Sequence, residues 1–260
     1  MLIVFDIGNT TTGVGLFQGK KLLADWKIKS DREKTADEYG FMLSGLLAHG
    51  RFSAQKIKGA IVSSVVPPLT PVFQAACEKF FRVKPLVVGP GIKTGIPILY
   101  ENPAEVGSDR IVVAGAAFEK YGGPCLVVDF GTATTFDVIS ERGEYLGGAI
   151  APGIQISAEA LYLRTARLPR IEVRKPKSAI GRTTVSSMQS GLYFGYVGLV
   201  RNIISQISSE LASRPKVIAT GGLAGLLAGD IPEIDHHEPD LVLQGLRLIY
   251  QKNKTAEKKS

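Results

Sequence analysis

The 260-residue chain has only two cysteines, Cys77 and Cys125, and three histidines, His49, His236 and His237. The cysteines are far apart in apolar settings, with no metal-ligand or redox spacing. This excludes a disulfide scaffold and predicts buried free thiols in a reducing compartment. The histidines are too few and too scattered for a zinc site, and the adjacent pair falls in an acidic, proline-flanked stretch that reads as surface loop. No apolar run reaches the roughly 18 residues of a membrane-crossing helix. Asp6 interrupts the apolar run at the N-terminus and no basic stretch precedes it, so no secretory signal is expected. The expectation is a soluble, cytoplasmic protein with no membrane partner.

The formal charge is +7, yet no aromatic stacking pattern accompanies the cations, and neither helix-turn-helix nor zinc-finger spacing is present. Nucleic acid is therefore not an expected partner. Lys252, Lys254, Lys258 and Lys259 against Glu257 concentrate charge in a Lys-rich tail. A second cluster holds Arg164, Arg167, Arg170, Arg174, Lys175, Lys177 and Arg182, diluted by Glu172. It reads as a solvated loop or as a surface that attracts anionic substrates.

What the chain does have is apolar residues, 45% of the total, enough for a substantial core. It also has two stretches built alike. Leu2-Ile3-Val4-Phe5-Asp6-Ile7-Gly8-Asn9-Thr10-Thr11 opens the chain, and Leu126-Val127-Val128-Asp129-Phe130-Gly131-Thr132-Ala133-Thr134-Thr135 follows half a chain later. Each is a buried-strand run, then Asp, an apolar residue, Gly and a polar turn. The Asp emerges where the strand ends, and the Gly lets the backbone bring N–H groups close to a ligand. Two such hairpins would cradle a polyphosphate from both sides, with an Asp holding its metal ion. The repeat predicts a duplicated domain with a cleft between the copies.

Around these stretches the chain reads as strand, meander and helix, twice. The first half has a strand at 2–6, a meander through 14–17 and 22–28, and a helix from N-cap Thr35 to Gly50. A strand at 57–62, a helix at 69–81 and a short strand at 86–88 complete it. A helix capped by Asn102 joins the halves. The second half has strands at 125–129, 134–140 and 145–150, then a helix to about Leu163. A long helix capped by Ser186 or Ser187 runs to about Ser213, followed by a strand at 216–220, a short helix at 223–228 and a last one at 239–250. Gly191, Gly195 and Gly198 inside the long helix suggest close approach to another helix, within the chain or across a subunit interface. The expected division is 1–115, 116–250, and a disordered Lys-rich tail at 251–260.

Asp6-Ile7-Gly8-Asn9-Thr10, Asp129-Phe130-Gly131-Thr132 and Thr220-Gly221-Gly222, in this order and each after a strand, resemble the acetate and sugar kinase, Hsp70 and actin superfamily. Gly107-Ser108-Asp109-Arg110, Gly148-Ala149-Ile150-Ala151-Pro152-Gly153 and Asp240-Leu241-Val242-Leu243-Gln244-Gly245-Leu246 narrow the resemblance to type III pantothenate kinase, over nearly the whole chain. Gly13 stands where many sugar kinases carry a basic residue. The resemblance implies an α/β fold of two similar ribonuclease H-like (actin-like) lobes, each a mixed sheet flanked by helices. It implies transfer of the ATP γ-phosphoryl group to pantothenate, giving 4'-phosphopantothenate, the first step of coenzyme A biosynthesis. ATP would bind Asp6, Ile7, Gly8, Asn9, Thr10, Thr11, Thr12, Gly13, Gly131, Thr132, Gly221 and Gly222. Pantothenate would bind Tyr100, Gly107, Ser108, Asp109, Arg110 and Thr184. Asp109 would be the base, Asp6 would hold Mg²⁺ through water, and Asp129 would hold K⁺ or NH₄⁺. A homodimer is implied, with the Gly-bearing helix as its interface. Two alternatives share the fold: a non-catalytic, nucleotide-binding transcriptional accessory protein, and a kinase for another small hydroxy acid.

Overall fold

The computed structural model describes residues 1–257. It divides into two units: Met1–Pro97 and Glu101–Ala116, joined by the chain from Asp240 onward, and Ile98–Tyr100 with Ala117–Pro239. In the first unit, β1 (Leu2–Ile7), β2 (Thr11–Gln18) and β3 (Lys21–Lys29) form an antiparallel meander. β4 (Gly59–Ser64) pairs with β1 and β5 (Leu86–Val87) pairs with β4, both in parallel. The resulting order is β3-β2-β1-β4-β5. β1 and β4 are buried along most of their length, as central strands covered on both faces must be.

α1 (Ala36–His49) and α2 (Leu69–Ala76) supply Tyr39, Leu43, Leu47, Leu69 and Phe73 to a core with Phe5, Ile7, Leu16 and Val62. α1 begins in a capping box. The Glu38 N–H donates to Thr35 Oγ1 at 3.3 Å, and the Thr35 N–H donates to Glu38 Oε2 at 2.8 Å. α2 continues into a π-helical turn, Cys77–Phe81, so the helix expected over 69–81 widens in its last turn. The helix expected from Asn102 is two pieces, a 3₁₀ turn at Pro103–Glu105 and α3 (Ser108–Tyr121). The extended backbone at Val106 (φ −78°, ψ 120°) separates them.

The second unit repeats the plan. β6 (Cys125–Phe130), β7 (Ala133–Ile139) and β8 (Tyr145–Pro152) are the meander. β9 (Lys216–Thr220) and β10 (His236–His237) add in parallel. The order β10-β9-β6-β7-β8 matches β5-β4-β1-β2-β3 strand for strand. The duplication suggested by two ten-residue stretches thus extends to the topology of both sheets. His236 and His237, expected in a loop, form the short edge strand. Leu126, Val128, Phe130 and Phe136 pack against α4 (Ile154–Arg164), α5 (Thr184–Glu210) and α6 (Ala224–Leu227) through Ile154, Tyr193, Tyr196, Val200 and Leu227.

α5 starts earlier than expected. Its cap is Thr183, not Ser186 or Ser187, and Ser186 closes the capping box from the third helical position. Apart from the helix's own nearby backbone, no described atom lies within 4 Å of a Cβ placed at Gly191, Gly195 or Gly198, so packing against other elements of the chain does not require these glycines. In the basic loop, Lys175 pairs with Asp230 at 2.6 Å and Arg170 with Glu159 at 3.5 Å, while Arg174 pairs with Glu172.

α7 (Leu241–Glu257) departs most from the expected division, which assigned it to the second lobe. Leu243, Leu246 and Ile249 bury against Val4, Phe17, Ile61 and Val112 in the first unit. A Cβ at Gly245 would lie 2.4 Å from the Val112 carbonyl oxygen, so this close approach of α7 to α3 requires glycine. α7 also runs to Glu257, so the disorder expected from residue 251 does not hold as far as that position. The last three residues of the expected tail lie outside the described residues.

Candidate active site

In the first unit β1 delivers Asp6 to its C-terminal end, where it stands opposite Gly13 on β2 and Ser63 on β4. The Gly8 N–H donates to the Thr11 carbonyl at 3.1 Å, closing the turn through Asn9 and Thr10. Asn9, Thr10 and Thr11 are exposed. Thr12 is fully buried and hydrogen-bonded to Ser30 at 2.8 Å, so its hydroxyl supports the turn from inside. The Ser30 N–H donates to the Thr10 carbonyl at 3.0 Å, which fixes the loop from the end of β3.

The start of α3 is hooked to the same edge. Ser108 Oγ lies 2.9 Å from Ser63 Oγ, 3.2 Å from the Ser64 N–H nitrogen it accepts from, and 3.3 Å from the Ser64 carbonyl. Asp109 therefore starts its helix beside the end of β4, the strand paired with Asp6. The Arg110 N–H donates to Asp109 Oδ1 at 2.8 Å. A Cβ at Gly107 would sit 2.5 Å from that oxygen, so glycine leaves the carboxylate its place. Burial raises the pKa of Asp109 above the usual carboxylate value, and the hydrogen bond from Arg110 and its nearby charge only partly oppose this. Arg110 itself is buried. Ser63 and Ser64 lie just past the strand expected at 57–62 and end β4 instead. The available signal was a pair of hydroxyls ending a buried strand parallel to the one that carries Asp6.

The second unit forms the corresponding corner. Asp129 ends β6 opposite Thr135 on β7 and Thr220 on β9. The Gly131 N–H donates to the Ala133 carbonyl, and the Gly153 N–H to the Thr132 carbonyl, both at 3.1 Å. Gly221 has φ +94°, and a Cβ there would lie 2.3 Å from Asp129 Oδ1 and 2.7 Å from the Phe130 nitrogen. The structure thus gathers Asp129, Gly131, Thr132 and Gly221 around one strand end, with Gly222 exposed beside Gly221. Tyr100 lies along β8, with its ring 6.3 Å from that of Tyr145. Thr184, expected in a loop, is the exposed first residue of α5.

Among the described residues no three His, Cys, Asp or Glu side chains group as metal ligands. One aspartate at each strand end fits an ion that keeps its waters and its phosphate ligands, as Mg²⁺ does, rather than an all-protein cage.

Two sheets of identical strand order, each ending its first strand in Asp-x-Gly at a tight hairpin, define an α/β fold of the actin-like class. The family model for type III pantothenate kinase matches residues 2–206. A type III pantothenate kinase from Syntrophus aciditrophicus (strain SB) is 53% identical over 253 residues, 97% of this chain and 100% of that protein. The chain belongs to the type III pantothenate kinase family, and that membership makes it an ATP-dependent kinase. Solved structures agree at the level of fold. A Campylobacter jejuni protein described as a Baf family transcriptional activator superposes with a TM-score of 0.61 at 20% identity, over 97% of this chain and 99% of that one. A Sinorhizobium meliloti protein described as a 2-dehydro-3-deoxygalactonokinase does so with 0.58 at 14%, over 97% and 96%. At these identities the likeness shows the fold alone.

Proposed function

We propose that this chain phosphorylates pantothenate at its primary hydroxyl with the ATP γ-phosphoryl group, opening coenzyme A synthesis. The observation that carries the assignment of the base is the Ser63–Ser108 hydrogen bond. It places Asp109, a carboxylate with a raised pKa, next to the strand end that bears Asp6. Phosphoryl transfer passes through a loose transition state, so the protein chiefly positions the reactants and stabilises charge. The exposed turn residues Asn9 to Thr11 and Thr132 grip phosphate oxygens, on turns closed by the Gly8 and Gly131 N–H groups, and Gly221 and Gly222 lie against the nucleoside. Asp109 accepts the hydroxyl proton, and its raised pKa brings it closer to the operating pH. The Arg110 guanidinium suits the pantothenate carboxylate, with Tyr100, Gly107, Ser108 and Thr184 completing the acceptor site.

Asp6 would hold Mg²⁺ and Asp129 would hold K⁺ or NH₄⁺, and the cations would supply charge to screen the phosphates. The exposed glycine face of α5, flanked by Val185 and Phe194, is the homodimer contact. A native-mass measurement that found only monomer would remove that last element.

The test is ATP consumption with and without pantothenate, in K⁺, NH₄⁺ and Na⁺ salts. Consumption should depend on pantothenate and be low in Na⁺ alone. Turnover only with some other hydroxy acid would overturn the substrate, and equal rates in all three salts would overturn the role of Asp129.

A further inference from the structure

We propose that Asp137 is a positioning residue for the acceptor site, acting through Tyr145 on Tyr100. This rests on the reading above that Tyr100 binds pantothenate. Asp137 lies on β7 with no exposed surface. A buried carboxylate has to be held by hydrogen-bond donors. Two of its donors are hydroxyls: Tyr145 donates to Oδ1 and Thr135 to Oδ2, each at 2.9 Å.

Tyr145 is itself fully buried, and its main chain holds the segment that carries Tyr100. Ile98 bridges to Tyr145, and the Leu99 N–H donates to the Tyr145 carbonyl at 2.9 Å. The Tyr100 ring then lies 6.3 Å from the Tyr145 ring, tilted by 45°. The ring also lies close to Gly147, where φ is +110° and a Cβ would come within 3.2 Å of it. Tyr145 and Gly147, two residues apart on β8, both bear on this segment. A short strap, 98–100, is thus laid on β8 and indexed by one phenol whose hydroxyl is fixed by Asp137.

Asp137→Asn keeps the shape but places an amide where the carboxylate accepts two hydroxyl protons. Tyr145→Phe removes one donor and leaves the Thr135 contact in place. Both are made, with Tyr100→Ala alongside, and each is assayed for kcat and for KM towards pantothenate and ATP, with thermal unfolding as the check on folding. The expected result is a pantothenate KM raised about tenfold in both Asp137→Asn and Tyr145→Phe, with kcat and the ATP KM moved far less. The double variant should be no worse than the poorer single one. If Tyr100→Ala raises the pantothenate KM while folded Tyr145→Phe leaves it unchanged, the positioning role is overturned and the substrate reading stands. If Tyr100→Ala itself leaves that KM unchanged, the placement of Tyr100 in the acceptor site fails and this proposal falls with it. Should Asp137→Asn not fold, Tyr145→Phe decides alone.

Discussion

Burial raises the pKa of Asp109, which sets its chemistry against folding. The folded state holds the proton more tightly than the unfolded chain does. Stability is therefore lost as pH rises from the ordinary carboxylate value, about 3.9, through the raised folded value. At neutral pH the ionised carboxylate costs stability, which Asn does not. Asp109→Asn should lower kcat by about 10²-fold or more. It should also raise the unfolding temperature at pH 7, with the gain vanishing below pH 4. Parallel thermal melts and turnover at several pH values check both halves. Gly221→Ala gives a second expectation. The new methyl group cannot share space with the Asp129 carboxylate, and φ +94° strains it besides. A cost of about 1–3 kcal/mol and a raised ATP KM should follow. Gly19→Ala, with φ +61° and open space around it, is the control that should bear only backbone strain and keep its ATP KM.

At the scale of elements, α7 does the work of a core helix for a sheet laid down two hundred residues earlier. Leu246 is fully buried against β1, β2 and β4 side chains. Leu246→Ala removes that contact and leaves a cavity, so it should destabilise by about 2–5 kcal/mol, read from the shift in a urea midpoint. The helix was expected at 239–250, its start within two residues of Leu241, but it runs on to Glu257. Its assignment to a lobe was not legible in the sequence, because an apolar stripe states that a partner exists without naming it. The same limit explains α5. Thr183, Ser186 and Ser187 all offer capping hydroxyls, and only the backbone geometry selects Thr183.

At the scale of the whole molecule, both thiols are sealed. Desolvation pushes Cys77 up to about 12 and Cys125 up to about 11. Neither offers appreciable thiolate near pH 8. Thiol-specific reagents should leave the native protein unlabelled at that pH and modify both residues only as it unfolds. Labelling rates followed across a urea titration check this, and fast labelling of either thiol under native conditions would contradict it. Among the described residues no helix is long and apolar enough to cross a membrane, in line with the missing apolar run.

The duplicated Asp-x-Gly hairpins, the alternation of strands and helices, and the caps of α1 were determined by local sequence. Strand-end carboxylates, turn glycines and capping hydroxyls act on neighbours a few residues away. The hook of Ser63 and Ser64 on Ser108, the approach of Gly221 to Asp129, the strap of 98–100 on β8 and the allegiance of α7 were decided only by the tertiary structure. Each joins residues tens to hundreds of positions apart, and which distant surfaces meet depends on how every intervening element packs.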